Sequence, residues 1–285
     1  MRLGVVTIAL VCGGLSAQAG ETVGKITRYS PKLDALISPQ AKIEKLAGGY
    51  TWAEGPVWIR EGNYLMFTDV PENTMYRWSE KEGAQVYLKP SGFTGPDTTG
   101  LREPGANGLF PDVPGKLLVA NAGNRTLDRL DIATRKKTTL VDRFEGKRFN
   151  SPNDVTRKKD GTVFFTDPPY SLTGINDSPL KEIRFNGVYR LGTDGKLSLV
   201  DDAMTFPNGI GLSPDERTLY VANSDPKQPI WNAYSLDEKG VVTGKREFAS
   251  AADLSGPGLP DGLKVAADGH IFATGPGGVL VYAPD

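Results

Sequence analysis

Short apolar stretches alternate with polar turns along the whole chain, and none of them has the period of a long amphipathic helix. The clearest unit covers residues 206–223, where a Pro–Asn–Gly sequence leads into a short apolar strand, a polar turn and a second strand rich in β-formers. This pattern predicts a β-hairpin whose first strand begins at an oxygen-bearing side chain. We therefore expect an all-β chain.

Five variants of this hairpin occur along the chain. Their turns follow one another at intervals of roughly 50 residues, which is within the range of propeller repeats. The turns are centred on Gly62, Gly115, Gly161, Arg217 and Gly269. An oxygen-bearing residue stands at nearly the same distance before each turn, and these residues are Glu54, Asn107, Asn153, Asn208 and Asp261. Side chains at one phase of a repeat occupy equivalent places around an axis, so we expect the five to point toward a common centre.

Each repeat continues past its hairpin with further short strands, which predicts one four-stranded antiparallel blade per repeat. The fifth repeat reaches residues 278–282, and the sequence stops at Asp285, before an outer strand or a sixth repeat. An open ring of sheets leaves edge strands exposed, which natural propellers avoid. We therefore predict a propeller of the six-bladed type whose last blade is missing from this chain, with residues 43–47 as a closing strand. The alternative is a complete ring of five blades.

Two segments are predicted to be loops near the central opening. Residues 91–105 are rich in Gly, Pro and Thr and read as an exposed loop at its rim. Residues 167–185 interrupt the third repeat, and they either wall a pocket or form a surface insertion without function. In the first case, Tyr170 is the side chain that we expect to contact a substrate. The tryptophans that we expect in the core between blades are Trp58, Trp78 and Trp231.

The overall composition excludes several classes of function. With 33 basic and 34 acidic residues and a net charge of −1, the chain offers no electrostatic footprint for nucleic acid or for a membrane surface. The one cysteine, Cys12, lies in the leader, which argues against disulfides and thiol catalysis. A single histidine, His270, makes a Ser–His–Asp triad or a histidine-based zinc site improbable.

The first 19 residues have the three regions of a secretory signal: a short basic start, an apolar stretch and a small-residue site ending at Ala19. We predict cleavage after Ala19 and export to the periplasm or the medium, with one propeller domain over residues 20–285. The alternative is a buried N-terminal strand or helix. No other stretch approaches the roughly 20 apolar residues of a membrane helix.

Several short motifs recur in a fixed order, at residues 54–58, 151–155, 187–190, 207–210 and 260–263. In sequence and spacing they resemble the gluconolactonase family, also called the SMP-30 or regucalcin-like family, of six-bladed propellers. The resemblance covers nearly all of the mature chain. It implies one divalent cation, usually calcium, at the axis, and hydrolysis of a small sugar lactone, typically glucono-1,5-lactone, to the open aldonic acid.

The resemblance also assigns roles to residues of this chain. It implies that Glu54, Asn208 and Asp261 are metal ligands, that Asn153 is a fourth ligand or a substrate contact, and that Asp261 accepts a proton. Regucalcin-type members have an arginine two positions before the residue that matches Asn153. Ser151 stands there in this chain, so we expect a different grip on the substrate.

Two further residues at the predicted centre have open roles. Asn107 either contacts the substrate or is a structural polar group. Asp154 either caps its loop or supports the metal ligands.

Carboxylate and amide oxygens form a hard ligand set, which suits Ca²⁺, with Mg²⁺ as the alternative and Zn²⁺ as a poorer fit. A dication there would polarise the lactone carbonyl, while Asp261 takes a proton from the attacking water. The sequence therefore favours a metal-dependent lactonase. Two alternatives stay open: a non-catalytic binding propeller that the metal only stabilises, and a metal-dependent hydrolase of another ester or phosphoester.

Overall fold

The structure is a computed structural model that describes residues 21–284. The predicted signal segment, residues 1–19, lies outside the described residues. Between residues 21 and 284 the chain has β-strands and three short 3-10 helices but no α-helix: Pro31–Ala35, Arg60–Gly62 and Ile175–Asp177. None of the helices in this range has the length and apolar character needed to cross a membrane.

The N-terminal region contributes one small sheet of its own. It consists of β1 (Glu21–Thr22) and β2 (Glu44–Lys45), which pair antiparallel. The strand expected at residues 43–47 is therefore present, but its prediction as a closing strand of the ring is wrong, because its partner is β1 rather than a blade.

Five antiparallel sheets follow in the order of the sequence and form the blades. Blade 1 consists of β3 (Ala53–Ile59), β4 (Tyr64–Asp69), β5 (Thr74–Ser79) and β6 (Gly83–Leu88). Blade 2 consists of β7 (Leu109–Pro111), β8 (Lys116–Asn121), β9 (Thr126–Asp131) and β10 (Lys137–Val141). A small separate hairpin then consists of β11 (Arg143–Phe144) and β12 (Lys147–Arg148).

The remaining three blades use the second half of the chain. Blade 3 consists of β13 (Val155–Arg157), β14 (Val163–Asp167), β15 (Gly187–Leu191) and β16 (Leu197–Asp201). Blade 4 consists of β17 (Pro207–Leu212), β18 (Thr218–Asp225), β19 (Gln228–Leu236) and β20 (Val242–Ser250). Blade 5 consists of β21 (Leu263–Val265), β22 (Ile271–Gly275) and β23 (Gly278–Tyr282).

The described chain is thus a β-propeller of five blades, four with four strands and one with three. This corrects the prediction of a six-bladed type with its last blade missing. The prediction added a sixth blade because an open ring exposes edge strands, whereas each of the five sequence repeats forms one sheet of the described chain.

The core lies between neighbouring blades because alternate side chains of a strand point to opposite faces of its sheet. On β8, Leu117 and Val119 pack toward blade 1, whereas Leu118 and Ala120 pack toward blade 3. On β14, Val163 and Phe165 likewise face blade 2, while Phe164 faces blade 4. Each inner strand therefore needs apolar residues on both faces, which explains the continuous apolar runs in the sequence.

The three tryptophans predicted for the core have different environments. Trp78 is half-buried on β5 and lies on the same face of blade 1 as Trp58, since Leu65 pairs with both, so it is not in the core between blades 1 and 2. Trp231 is 1% exposed in the cluster between blades 4 and 5, which confirms its predicted place in the core. The same prediction is wrong for Trp58, which is 44% exposed on β3. Trp58 alternates with the buried Val57 and Ile59, which pack toward blade 2, so it lies on the opposite face of blade 1.

Candidate active site

The site residues of blades 1 and 4 stand at β-bulges in the innermost strands. The pairing of β3 with β4 shifts register between Glu54 and Val57, and the pairing of β17 with β18 shifts between Pro207 and Ile210. A bulge bends its strand and re-aims a side chain, and bulges are common next to active sites. These two shifts therefore fall at positions for which the sequence predicts metal ligands.

Hydrogen bonds join the predicted site segments of neighbouring blades to one another. Thr68 Oγ1 donates to Asn107 O at 3.0 Å between blades 1 and 2. Gly108 N donates to Asn153 O at 2.7 Å between blades 2 and 3. Thr166 Oγ1 donates to Asn208 O at 2.8 Å between blades 3 and 4.

A fourth junction joins blade 5 to blade 4. Ser224 Oγ donates to Pro260 O, the residue before Asp261. A Cβ added to Gly209 would lie 2.3 Å from Asp261 O, so only glycine permits this approach. The five segments predicted to share a centre are therefore adjacent in series from Glu54 to Asp261.

Glu54 and Asp261 are the two carboxylates of the predicted ligand set, and the pKa of each is raised. Burial and, after it, the negative charge of Asp261 raise the pKa of Glu54 to about 8, while a hydrogen bond from Trp52 opposes the shift. That bond joins Trp52 Nε1 to Glu54 Oε1 at 2.7 Å. Burial raises the pKa of Asp261 to about 6, with opposing hydrogen bonds from Gly262 and Asn208.

The predicted amide ligands lie in the same ring. Asn208 and Asn153 are 6% and 5% exposed. Asn208 Nδ2 donates to Ser224 Oγ at 2.9 Å, which uses the donor end of the amide and leaves its Oδ1 for another partner. Asn107 is also buried, and its backbone nitrogen donates to Ala120 O at 2.9 Å.

Asp154 lies in the ring but its carboxylate is used within the protein. Its Oδ1 accepts from Val155 N at 2.9 Å and its Oδ2 accepts from Ile210 N at 3.2 Å. Because Val155 belongs to blade 3 and Ile210 to blade 4, the carboxylate ties the two inner strands together. Of the two open roles, this geometry favours the structural one.

The segment after β14 places Tyr170 beside residues of blade 4 that precede the predicted ligand Asn208. Tyr170 OH donates to Phe206 O at 3.3 Å, and the two rings stack with centroids 5.8 Å apart. Burial raises the pKa of Tyr170, while hydrogen bonding with Ser224 and Asn208 opposes this and the charge of Asp261 adds to it. The phenol therefore lies next to predicted ligands of blades 4 and 5.

Ser151, the departure from the regucalcin pattern, holds this same segment in place. It is 1% exposed, its Oγ donates to Pro168 O at 2.5 Å, and it accepts from Ser171 N at 3.1 Å. Because the Ser151 hydroxyl both donates and accepts a hydrogen bond within the protein, it supports the loop that carries Tyr170.

Sequence reasoning missed one carboxylate of this site, Glu103, in the loop of residues 91–105. Its side chain is 14% exposed, and its Oε1 lies 2.7 Å from Arg102 Nη2. Burial raises the pKa of Glu103, the Arg102 guanidinium opposes this, and the charge of Asp261 adds to it. No repeat phase marks Glu103, because it precedes Asn107 in a segment that has no counterpart in the other hairpins.

The donor set suits a hard dication better than a soft one. Within residues 21–284, no group of three or more His, Cys, Asp or Glu side chains is arranged to hold an ion, so a cation here would depend on amide oxygens beside the two carboxylates. Two half-buried carboxylates whose pKa values are both raised form a place where positive charge is favourable. Glu54, Asn208 and Asp261 therefore fit a bound dication, with Asn153 as a further oxygen donor.

Sequence comparison places this geometry among known proteins. The sequence model of the SMP-30/gluconolactonase/LRE-like region matches residues 52–285. The chain belongs to the SMP-30/gluconolactonase/LRE-like family. The match begins just before Glu54 and includes all five site segments, so family membership and the ring of oxygen donors concern the same part of the chain.

Relatives within this family include enzymes with named activities. A gluconolactonase of Zymomonas mobilis is 46% identical over 272 residues, which cover 93% of this chain and 76% of that protein. Pentonolactonase XacC of Haloferax volcanii is 28% identical over 220 residues, covering 77% of this chain and 65% of that protein. The solved structure of XC5397, a gluconolactonase from Xanthomonas campestris, matches with a TM-score of 0.77 and 31% identity, covering 94% of this chain and 86% of that one.

Proposed function

We propose that this protein is a divalent-metal-dependent hydrolase that opens sugar lactones to aldonic acids. The chain is a lactonase by family and by its relatives, two of which are named for a gluconolactone and a pentonolactone activity. One observation carries the metal dependence: Glu54 and Asp261, from different blades, lie close enough that the charge of Asp261 adds to the effect of burial, and the pKa of Glu54 is raised to about 8. Such a pair needs protons or a cation to be neutralised.

The residues at the site have different roles in this proposal. Glu54, Asn208 and Asp261 would hold the ion, with Asn153 as a further ligand or substrate contact. When bound, a Ca²⁺ or Mg²⁺ ion supplies Lewis-acid polarisation of a carbonyl and positive charge for a developing oxyanion. Because Ca²⁺ accepts irregular sets of oxygen ligands whereas Mg²⁺ demands a near-octahedral one, the mixed carboxylate and amide set favours Ca²⁺.

Asp261 is the proton acceptor of this proposal. Its pKa of about 6 without an ion leaves it ionised at neutral pH, as a general base must be. A carboxylate with two oxygens can contact an ion through one and a water through the other. In hydrolysis the water oxygen bonds to the carbonyl carbon while Asp261 takes one of its protons. The bond from that carbon to the ring oxygen then breaks, and the proton passes from Asp261 to the ring oxygen, which leaves the open acid with a free hydroxyl group and regenerates the carboxylate.

The substrate side of the site has a polar wall and an apolar one. Asn107 and Asn153 supply buried amides at the ring, and Tyr170 with Phe206 supplies a stacked aromatic surface. Small-molecule sites combine apolar surface with a few placed polar groups, which suits the face and the hydroxyls of a sugar lactone. Export remains a proposal from the sequence of residues 1–19.

The test is hydrolysis of glucono-1,5-lactone by pH-stat, before and after dialysis against EDTA, followed by addition of Ca²⁺, Mg²⁺ or Zn²⁺. We expect turnover to disappear on chelation and to return best with Ca²⁺. A protein that binds Ca²⁺ and is stabilised by it, but hydrolyses no lactone, would instead support the non-catalytic propeller. Turnover of a phosphoester or another ester in place of the lactone would support the third class.

A further inference from the structure

Two loops beside the site pair with each other across a wide separation in sequence. Leu101 and Leu172 form an isolated antiparallel bridge. On one side of it, Arg102 N donates to Ser171 O at 2.9 Å. On the other side, a hydrogen bond of 2.8 Å runs from Thr173 N to Gly100 O. The two segments therefore form a short antiparallel ladder.

This contact brings Glu103 close to Tyr170. Arg102 N donates to Ser171 O, and Glu103 and Tyr170 are the chain neighbours of these two residues. Tyr170 itself lies in a turn, because Leu172 N donates to Pro169 O at 3.0 Å. The charge of Glu103 adds to the rise in the pKa of the Tyr170 phenol, whose OH donates to Phe206 O, so the Glu103 carboxylate lies on the side of its loop that is near the site.

The backbone on the far side of Glu103 is also anchored. Pro104 O accepts from Phe93 N at 2.7 Å, Gly105 N donates to Val70 O at 2.8 Å, and Gly105 O accepts from Gly123 N at 3.0 Å. Glu103 therefore has fixed backbone on both sides, and its carboxylate does not depend on a free loop for its position.

The pair of Glu103 and Arg102 has the chemistry of a hydroxyl acceptor. An ionised carboxylate has two oxygens and only accepts hydrogen bonds, which are stronger than those between neutral groups. Arg102 contacts Oε1 at 2.7 Å, and no protein donor among residues 21–284 hydrogen-bonds to Oε2. The Arg102 guanidinium also favours the ionised form by lowering the pKa of Glu103 against the effect of burial.

We propose that Glu103 is a specificity-determining residue, whose carboxylate accepts hydrogen bonds from ring hydroxyls of the lactone that lies between it and Tyr170. This inference rests on the proposed lactone hydrolase function and adds a preference to it, for polyhydroxylated lactones over unsubstituted ones. A buried acceptor built to meet a substrate hydroxyl is left unpaired by an analogue that lacks the hydroxyl, which is the physical source of such discrimination.

The experiment compares two lactones of the same ring size, glucono-1,5-lactone and unsubstituted δ-valerolactone, in the metal-loaded protein. For Glu103→Ala and Glu103→Gln we expect kcat/KM on glucono-1,5-lactone to fall about 10- to 100-fold, mainly through KM, because the lost bonds act on bound substrate. On δ-valerolactone, kcat/KM of the same variants should remain within about twofold of the value for the protein without a mutation. This lactone has no hydroxyl that Glu103 could bind, so the mutation removes no hydrogen bond.

A control away from the site is Glu82→Gln, because Glu82 also pairs with an arginine, Arg77, but is exposed on the outer part of blade 1. This variant should change neither activity. The thermal midpoint should be unchanged in the Glu103 variants, and Ca²⁺ affinity by calorimetry should change far less than kcat/KM on glucono-1,5-lactone, because Glu103 acts on the ligand Glu54 only through its charge. Equal losses on both lactones, or no loss on glucono-1,5-lactone, would overturn the proposal for Glu103 alone. If the protein without any mutation hydrolysed neither lactone, the proposed function itself would be overturned.

Discussion

The junctions between blades 1 and 4 differ from the side of the ring between blades 5 and 1, which we call the open side. The difference lies in how the polar groups of the inner strands are satisfied. At the first three junctions, a threonine hydroxyl or a backbone amide donates to a carbonyl of the next blade. Thr274, which holds the corresponding place in blade 5, donates instead to Gly262 O of its own blade at 2.9 Å. A Cβ added to Gly262 would meet no atom within 4 Å.

The two carboxylates that we assign to the metal stand on either side of this open region. Glu54 belongs to blade 1 and Asp261 to blade 5, and among residues 21–284 no hydrogen bond joins these two blades. Asp154, between blades 3 and 4, has both carboxylate oxygens on backbone amides. The comparison teaches that the neighbouring blade satisfies an axial carboxylate at a closed junction. On the open side, Glu54 and Asp261 have no such hydrogen bond from one blade to the other within residues 21–284, and this is where the proposed cation would bind.

The largest expected difference is between Asp261→Asn and Asp154→Asn. Removal of a general base and ligand should lower kcat on glucono-1,5-lactone by about 10²- to 10⁴-fold with the fold retained. Asp154→Asn should instead lower the free energy of unfolding by about 1–3 kcal/mol, because one backbone amide loses its acceptor. Urea unfolding and pH-stat assays of both variants test this. A stable Asp154→Asn protein with no activity would contradict the distinction.

The open side should also make the metal-free protein less stable as the pH rises. In the folded chain Glu54 and Asp261 keep their protons up to about pH 8 and about pH 6, whereas their ordinary pKa values are 4.5 and 3.8. Between these limits the unfolded state binds fewer protons, so the free energy of unfolding falls as pH rises, by about 1 kcal/mol or more. Urea unfolding in EDTA at pH 4.5 to 8.5 measures it.

The control for this pH dependence is Asp261→Asn in the same series. Burial raises the pKa of Asp167 in blade 3 to about 7, and this residue adds a fall of the same sign to every variant. The slope that disappears in Asp261→Asn therefore belongs to the open side. If the free energy of unfolding of Asp261→Asn fell with pH as steeply as that of the parent protein, the open side would not be the source of the pH dependence.

A smaller effect is expected from Ser224, which joins the fourth junction to the ligands. Its hydroxyl accepts from Asn208 Nδ2 at 2.9 Å and donates to Pro260 O, so it orients one ligand and holds the residue before another. Ser224→Ala should weaken Ca²⁺ binding about tenfold, as is usual when a partner of a ligand is lost. Calorimetry measures this affinity, and Ser224→Thr, which keeps the hydroxyl, should restore most of it.

The smallest expected effect compares equivalent threonines. Thr68→Val and Thr166→Val each remove a hydrogen bond to the next blade and should lower the free energy of unfolding by about 1–2 kcal/mol. Thr274→Val, on the open side and exposed, should cost less than about 0.5 kcal/mol. Equal losses in urea unfolding for all three would remove the distinction between closed and open junctions.

The sequence by itself determined the strands, their grouping into repeats and the family. Period-two alternation and turn residues are local properties, so a hairpin such as residues 206–223 is encoded within its own length. The equal phase of Glu54, Asn208 and Asp261 then predicted that they approach one axis, because repeats place equivalent residues at equivalent positions. The bulges at the first two of these residues could not be read from the alternation alone.

Only the tertiary structure decided which partners these residues have. The bridge between Leu101 and Leu172, which brings Glu103 close to Tyr170, joins two loops without a repeat, so no periodic signal marks it. Likewise, the sequence left open whether Asp154 serves the loop or the metal, and the backbone amide of Ile210, 56 residues away, favours the structural role. Contacts between distant segments depend on how whole blades pack, whereas local patterns determine only the strands that pack.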